Sequence, residues 1–188
     1  GALTFGNARV LSEDGDILSE STAYEVYGKA FFLVYLLMMP IARYVHAMHL
    51  ERSGTNWEPR TWRVLWFALV LACVGDAVSY WGISAPGAAG DALWGFGFLI
   101  EILAGIVVLF ATTAYGVISH RLRVVPRWAS WLLMAVIPIG VLTLVTITTY
   151  APNALIVPLS LIWASIGAWV LLRSRESSGL RPVAGSAA

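Results

Sequence analysis

One cysteine in 188 residues, Cys73, rules out an internal disulfide and any cysteine-based metal cluster. It stands mid-span among apolar residues, where a thiol packs and does not react. Charge is almost as scarce: Asp, Glu, Lys and Arg make up 12% of the chain, about half of what a soluble domain carries. A net charge of +1 gives no electrostatic footprint for nucleic acid. Absent too are a phosphate-cradling glycine loop, a nucleophile elbow, a zinc-protease motif and a dinucleotide fingerprint. There is no convincing repeat with a period of roughly 20–50 residues. Nor is there an inverted repeat with matching glycine- or proline-broken spans, as in many transporters. No cofactor and no metal site is expected, because no motif asks for one.

What remains is hydrophobic. Apolar residues are 59% of the chain, nine tryptophans are present and the mean hydropathy is +0.75. Five runs reach the roughly 20 residues that a spanning helix needs. They cover about Ala30–Met48, Trp62–Ile83, Ala92–Ser119, Trp128–Tyr150 and Ala154–Leu172. Turn residues separate them, Ser84-Ala85-Pro86-Gly87 after the second and Ala151-Pro152-Asn153 after the fourth. The expected fold is an all-α polytopic transmembrane bundle of five spans. Residues 1–29 form an acidic leader, 30–172 the bundle and 173–188 a flexible polar tail.

Basic residues orient the bundle. Arg43, Arg52, Arg60, Arg63, Arg121, Arg123, Arg127, Arg173, Arg175 and Arg181 all fall on one side of the expected spans, and only Arg9 and Lys29 on the other. Cytoplasmic loops collect such residues, so the C-terminus should be cytoplasmic and the leader outside. An outside N-terminus on five spans suits a native gene with one more span upstream. Tyr24, Tyr27, Trp57, Trp62, Trp81, Trp94, Trp128 and Trp131 sit near helix ends as an interfacial belt. His46, His49 and His120 sit among arginines at the basic boundary, where contact with lipid headgroups is the simpler reading than a metal site.

Two carboxylates break the pattern. Asp76 lies roughly 10 Å and Glu101 roughly 13 Å inside the outer boundary, counting 1.5 Å per residue. An acid at such depth is costly unless neutral or paired, which makes it a functional-site candidate. Ala68, Ala72, Asp76 and Tyr80 share one helical stripe, and Gly97, Glu101 and Gly105 another. Small residues at this spacing let helices approach closely, so both acids should face a packed interface. Ser160, Ala164 and Ala168 form a third such stripe. The expected ligand-binding set is Asp76, Glu101, Tyr80, Thr146 and Ser160, lining an outer-half cavity. Two neighbouring carboxyls in a low dielectric cannot both ionise cheaply, so at least one should hold a proton. The plain alternative is structural: a protonated acid that hydrogen-bonds across a helix interface.

The segment His120 to Trp131, with Pro126-Arg127-Trp128 opening a helix after a short basic loop, resembles that of uncharacterised bacterial polytopic inner-membrane proteins. The resemblance covers about a dozen residues; it implies a bacterial cytoplasmic membrane and no activity. Three function classes stay open. The chain binds or transports a proton, cation or small ligand at the acid pair, or it serves as a subunit of a membrane complex. The third class is a membrane-embedded enzyme, with Asp76, Glu101 and Tyr80 doing acid–base chemistry on a lipid or isoprenoid. The expected partners are the lipid bilayer and a second copy or another membrane protein, not nucleic acid.

Overall fold

The computed structural model describes residues 22–52, 56–81, 88–146 and 151–179. The acidic residues of the leader up to Glu20 and the turn Ser84–Gly87 lie outside them. All regular structure within them is helical. The elements are α1 (Thr22–Glu51), α2 (Trp57–Asp76), a π-helical turn (Ala77–Trp81), α3 (Ala88–Leu122), α4 (Arg127–Thr146) and α5 (Ala151–Gly179). Five stretches within these helices are long and apolar enough to cross a membrane: Gly28–Glu51, Trp57–Tyr80, Ala92–Leu122, Arg127–Thr146 and Leu155–Ser174. The expected spans are thus found with their ends shifted by a few residues. α5 also runs seven residues beyond Leu172, into the stretch read as tail.

Spanning helices with short connections pack as antiparallel neighbours. α3 is central, packed on α2 and α4; α5 lies on α4 and α1, and α1 on α2. Contact between α3 and α5 is slight. Leu33, Leu37, Phe67, Phe96, Phe110, Val145 and Leu161 are exposed on the outer faces, as suits side chains solvated by lipid. The interior holds Tyr35, Met38, Leu65, Leu69, Tyr115, Leu133, Leu159 and Trp163.

α1 and α3 run parallel in fixed register. His49 meets Ser119, 70 residues on, and Tyr35 meets Gly105 at the same separation. Arg52 bonds the carbonyl of Arg123, 71 residues on. α3 ends on that carbonyl. Arg123 has a φ of 51°, and the Val124 amide reaches back 3.2 Å to the Ser119 carbonyl. This is the left-handed cap that closes helices, with arginine where glycine is usual. Pro126 then prevents α3 from continuing, and its carbonyl accepts the Ser130 amide as α4 begins.

Among the described residues, the stripe of Ser160, Ala164 and Ala168 is not packed against another helix of this chain. Ala164 and Ala168 are exposed and Ser160 is half-buried. The inward face of α5 instead carries Ile156, Leu159, Trp163 and Ile166. Burial of large apolar side chains, rather than the spacing of small ones, decided the rotation of this helix.

Candidate functional site

Asp76 and Glu101 are brought together by glycines. A Cβ built on Gly75 would lie 2.5 Å from the Glu101 amide nitrogen and 2.7 Å from the Gly97 carbonyl oxygen. One built on Gly97 would lie 2.7 Å from the Gly75 carbonyl oxygen and 2.6 Å from Ser79 Oγ. The backbones of α2 and α3 therefore touch, as small residues permit in lipid. Asp76, next to Gly75, is fully buried, and Glu101 is 3% exposed. The two carboxyls are near enough to interact electrostatically. The Phe32 backbone on α1 faces Asp76. Neither Asp76 oxygen, nor Glu101 Oε2, has a hydrogen-bond partner among the described residues. An orphaned buried polar atom costs about 1–3 kcal/mol, so such atoms ask for an explanation.

The chain changes its winding next to Asp76. Across Ala77–Trp81 the helix takes the wider π form, which is common at functional positions. The turn lets Ser79 Oγ donate to the Trp94 carbonyl at 3.1 Å. It also lays the Tyr80 ring on Gly28 of α1, where even a methyl group would collide.

Below the acids lies a cavity of about 140 Å³. Glu101 and the Tyr35 side chain of α1 are its polar residues. Ile102, Ile106 and Leu109 of α3 and Leu155, Ile156 and Leu159 of α5 form the rest of the wall with Gly105. It exists because α3 and α5 barely touch and because Gly105 presents no side chain. A Cβ there would come 3.5 Å from the Tyr35 hydroxyl. Tyr35 is buried and near enough to feel both acids.

Of the five residues expected to line a site, Asp76 and Glu101 lie together with Tyr80 one turn away. Ser160 is half-buried beside Leu159, and its hydroxyl bonds the Val157 carbonyl at 2.7 Å. Thr146 is exposed and donates to the Leu142 carbonyl at 2.7 Å. It is not drawn into the acid site. Threonine hydroxyls in lipid readily settle on the carbonyl four residues back, which makes a threonine near a helix end a poor guide to a cavity. Tyr35 was not among the expected residues. Its only signal is that Phe31, Tyr35, Met38, Ala42, Val45 and His49 follow each other by three or four along α1 and are all buried.

A second polar assembly stands at the basic end. Glu58, in the first turn of α2, is 4% exposed. Its Oε1 accepts the Tyr115 hydroxyl at 2.9 Å and His46 Nδ1–H at 2.7 Å. The His46 ring stacks on Trp62, centroids 4.3 Å apart. His49 donates from Nδ1 to the Val45 carbonyl at 2.7 Å, which leaves Nε2 to accept the Ser119 hydroxyl at 3.0 Å. His49 and Tyr115 rings lie against each other at 4.7 Å. His46 and His49 thus turn toward α2 and α3, whereas His120 lies edge-on to the exposed Trp131, ring centroids 5.4 Å apart. An acid in the first turn of α2 and histidines three apart on α1 were the available signal.

No known protein family, no curated protein and no solved structure matches this chain.

Proposed function

We propose that this membrane protein binds a small amine within the bilayer, its apolar group in the α1–α3–α5 cavity and its ammonium group on Glu101. The observation that carries the reading is the Glu101 carboxyl. It is buried, has an orphaned oxygen and stands at an otherwise apolar cavity. A pocket with apolar walls and one or two placed polar groups is the usual form of a small-molecule site.

The chemistry follows from solvation. A carboxylate held among apolar side chains is costly, so in the absence of a cation Glu101 is favoured as the neutral acid. An amine arriving uncharged takes the Glu101 proton, and the ammonium group so formed supplies both the positive charge and the N–H donors that the carboxylate needs. Tyr35 supplies a second polar contact. The volume sets the size of the apolar group: a cavity near 150 Å³ takes a benzene-sized molecule.

Benzylamine is therefore the probe, with benzyl alcohol as its neutral control. Titration calorimetry on the purified protein should show benzylamine binding. Glu101→Gln should weaken it at least tenfold, which is about 1.4 kcal/mol. Benzyl alcohol should be much less affected, and Leu159→Trp, which fills the cavity, should remove both. Equal binding of benzylamine by the parent protein and Glu101→Gln would sink the reading.

A further inference from the structure

The wall of the cavity grades from buried to exposed. Its polar residues, Tyr35 and Glu101, are buried, as is Leu159. Ile102 and Leu155 are half-buried. Ile106 lines the cavity too, yet it is 42% exposed. Beside Ile106, therefore, at most one side chain separates the cavity from whatever surrounds the bundle. The polar end of the cavity is the deep one, and the end that meets the surface is apolar.

Those surroundings are hydrocarbon. Ile106 stands in the middle of the 31-residue span Ala92–Leu122, with about 20 Å of helix to either side at 1.5 Å per residue. Leu99, Leu103, Ile106 and Phe110 follow each other by three or four along α3 and are all exposed. Residues at that spacing share one face, so Ile106 belongs to the lipid-facing stripe of α3. The slight contact between α3 and α5 leaves the seam beside that stripe loosely filled. A site with a deep acid and a shallow apolar end has the polarity of an amphiphile.

We propose that the cavity opens sideways into the hydrocarbon beside Ile106, and that the amine it takes is a single-chain alkylamine, its nitrogen on Glu101 and its chain leading out past Ile106 into the lipid. This rests on the reading of Glu101 as the amine-binding acid. A cavity of about 140 Å³ holds a benzene-sized group, so one chain fits and two do not. The first methylenes fill the cavity, and the remainder stays among acyl chains, which solvate it as well as the protein would. An ammonium group is costly at this depth, so the amine travels through the lipid uncharged. On arrival its nitrogen lone pair takes the Glu101 proton, which leaves an ammonium–carboxylate pair and consumes nothing else.

Dodecylamine is the probe, in lipid nanodiscs, and benzylamine, short enough to stay inside, is its comparison. Dodecylamine binding is read from its displacement of benzylamine in titration calorimetry. Partition into the disc lipid is common to all variants and cancels between them. Ile106→Trp obstructs the opening from the lipid face. It should weaken dodecylamine about tenfold or more and leave benzylamine within about twofold, equivalent to about 1.4 and 0.4 kcal/mol. Leu103→Trp makes the same change at a lipid-facing position that does not line the cavity, and should alter neither amine. Ile106→Trp that loses both amines alike, or keeps both alike, overturns the opening. Dodecylamine weakened by Ile106→Trp, together with unchanged benzylamine binding in Glu101→Gln, would keep the opening and remove the amine reading.

Discussion

At Gly75 two helices come closer than any side chain would allow, and the position of both acids depends on it. A methyl group there would press on the Glu101 amide and the Gly97 carbonyl, which are backbone atoms and cannot rotate away. Gly75→Ala should therefore lower stability by about 2 kcal/mol, the scale of an overpacked interior. Gly105→Ala meets only the Tyr35 hydroxyl, at an ordinary 3.5 Å, and should be neutral. Thermal unfolding of the two variants in one detergent makes the comparison. A Gly75→Ala protein as stable as the parent would mean that the helices do not touch there. The acids themselves were legible in the sequence, because charge in a spanning run is rare. Tyr35 was not, because a tyrosine in a long apolar helix announces nothing about the direction in which it points. Glu58 was hidden for a different reason: an acid just outside a predicted span looks solvated.

Elements were legible by length and less so by rotation. The five spans follow from hydrophobicity alone, with end shifts of a few residues. The face each helix turns inward depends on packing, and there small-residue spacing succeeded for α2 and α3 and failed for α5. On α2 and α3 glycine and alanine coincide with the buried acids. On α5 the bulk of Trp163 and Leu159 fills the interior instead. The cap of α3 gives a test at this scale. Arg123 holds a left-handed conformation that costs a side-chain-bearing residue about 1 kcal/mol. Its carbonyl, not its side chain, accepts Arg52. Arg123→Gly should keep that bond and raise stability by about 0.5–1 kcal/mol, read as a higher midpoint of thermal unfolding. A lower midpoint would assign the arginine side chain a structural role of its own.

For the whole molecule, direction across the membrane is the open quantity, and the distribution of arginines predicts it. The end carrying Glu51 and Arg123 should face the cytoplasm and the end carrying Ala92 should face outward. The lone native thiol helps, since Cys73 is 9% exposed and gives little background. A membrane-impermeant maleimide applied to intact cells should label Ala92→Cys and spare Glu51→Cys, both positions being exposed. The reverse pattern would invert the assignment.

Two hydrogen bonds at the basic end, His49 with Ser119 and Arg52 with the Arg123 carbonyl, and the approach of Tyr35 to Gly105 set α1 and α3 at one offset. A pair fastened at its foot and touching at mid-height resists sliding along its length. Sliding one member by a turn would break every fastening at once. α5 has no such tie to α3, and it supplies one wall of the cavity. The slight seam between α3 and α5 is the expected way into the cavity.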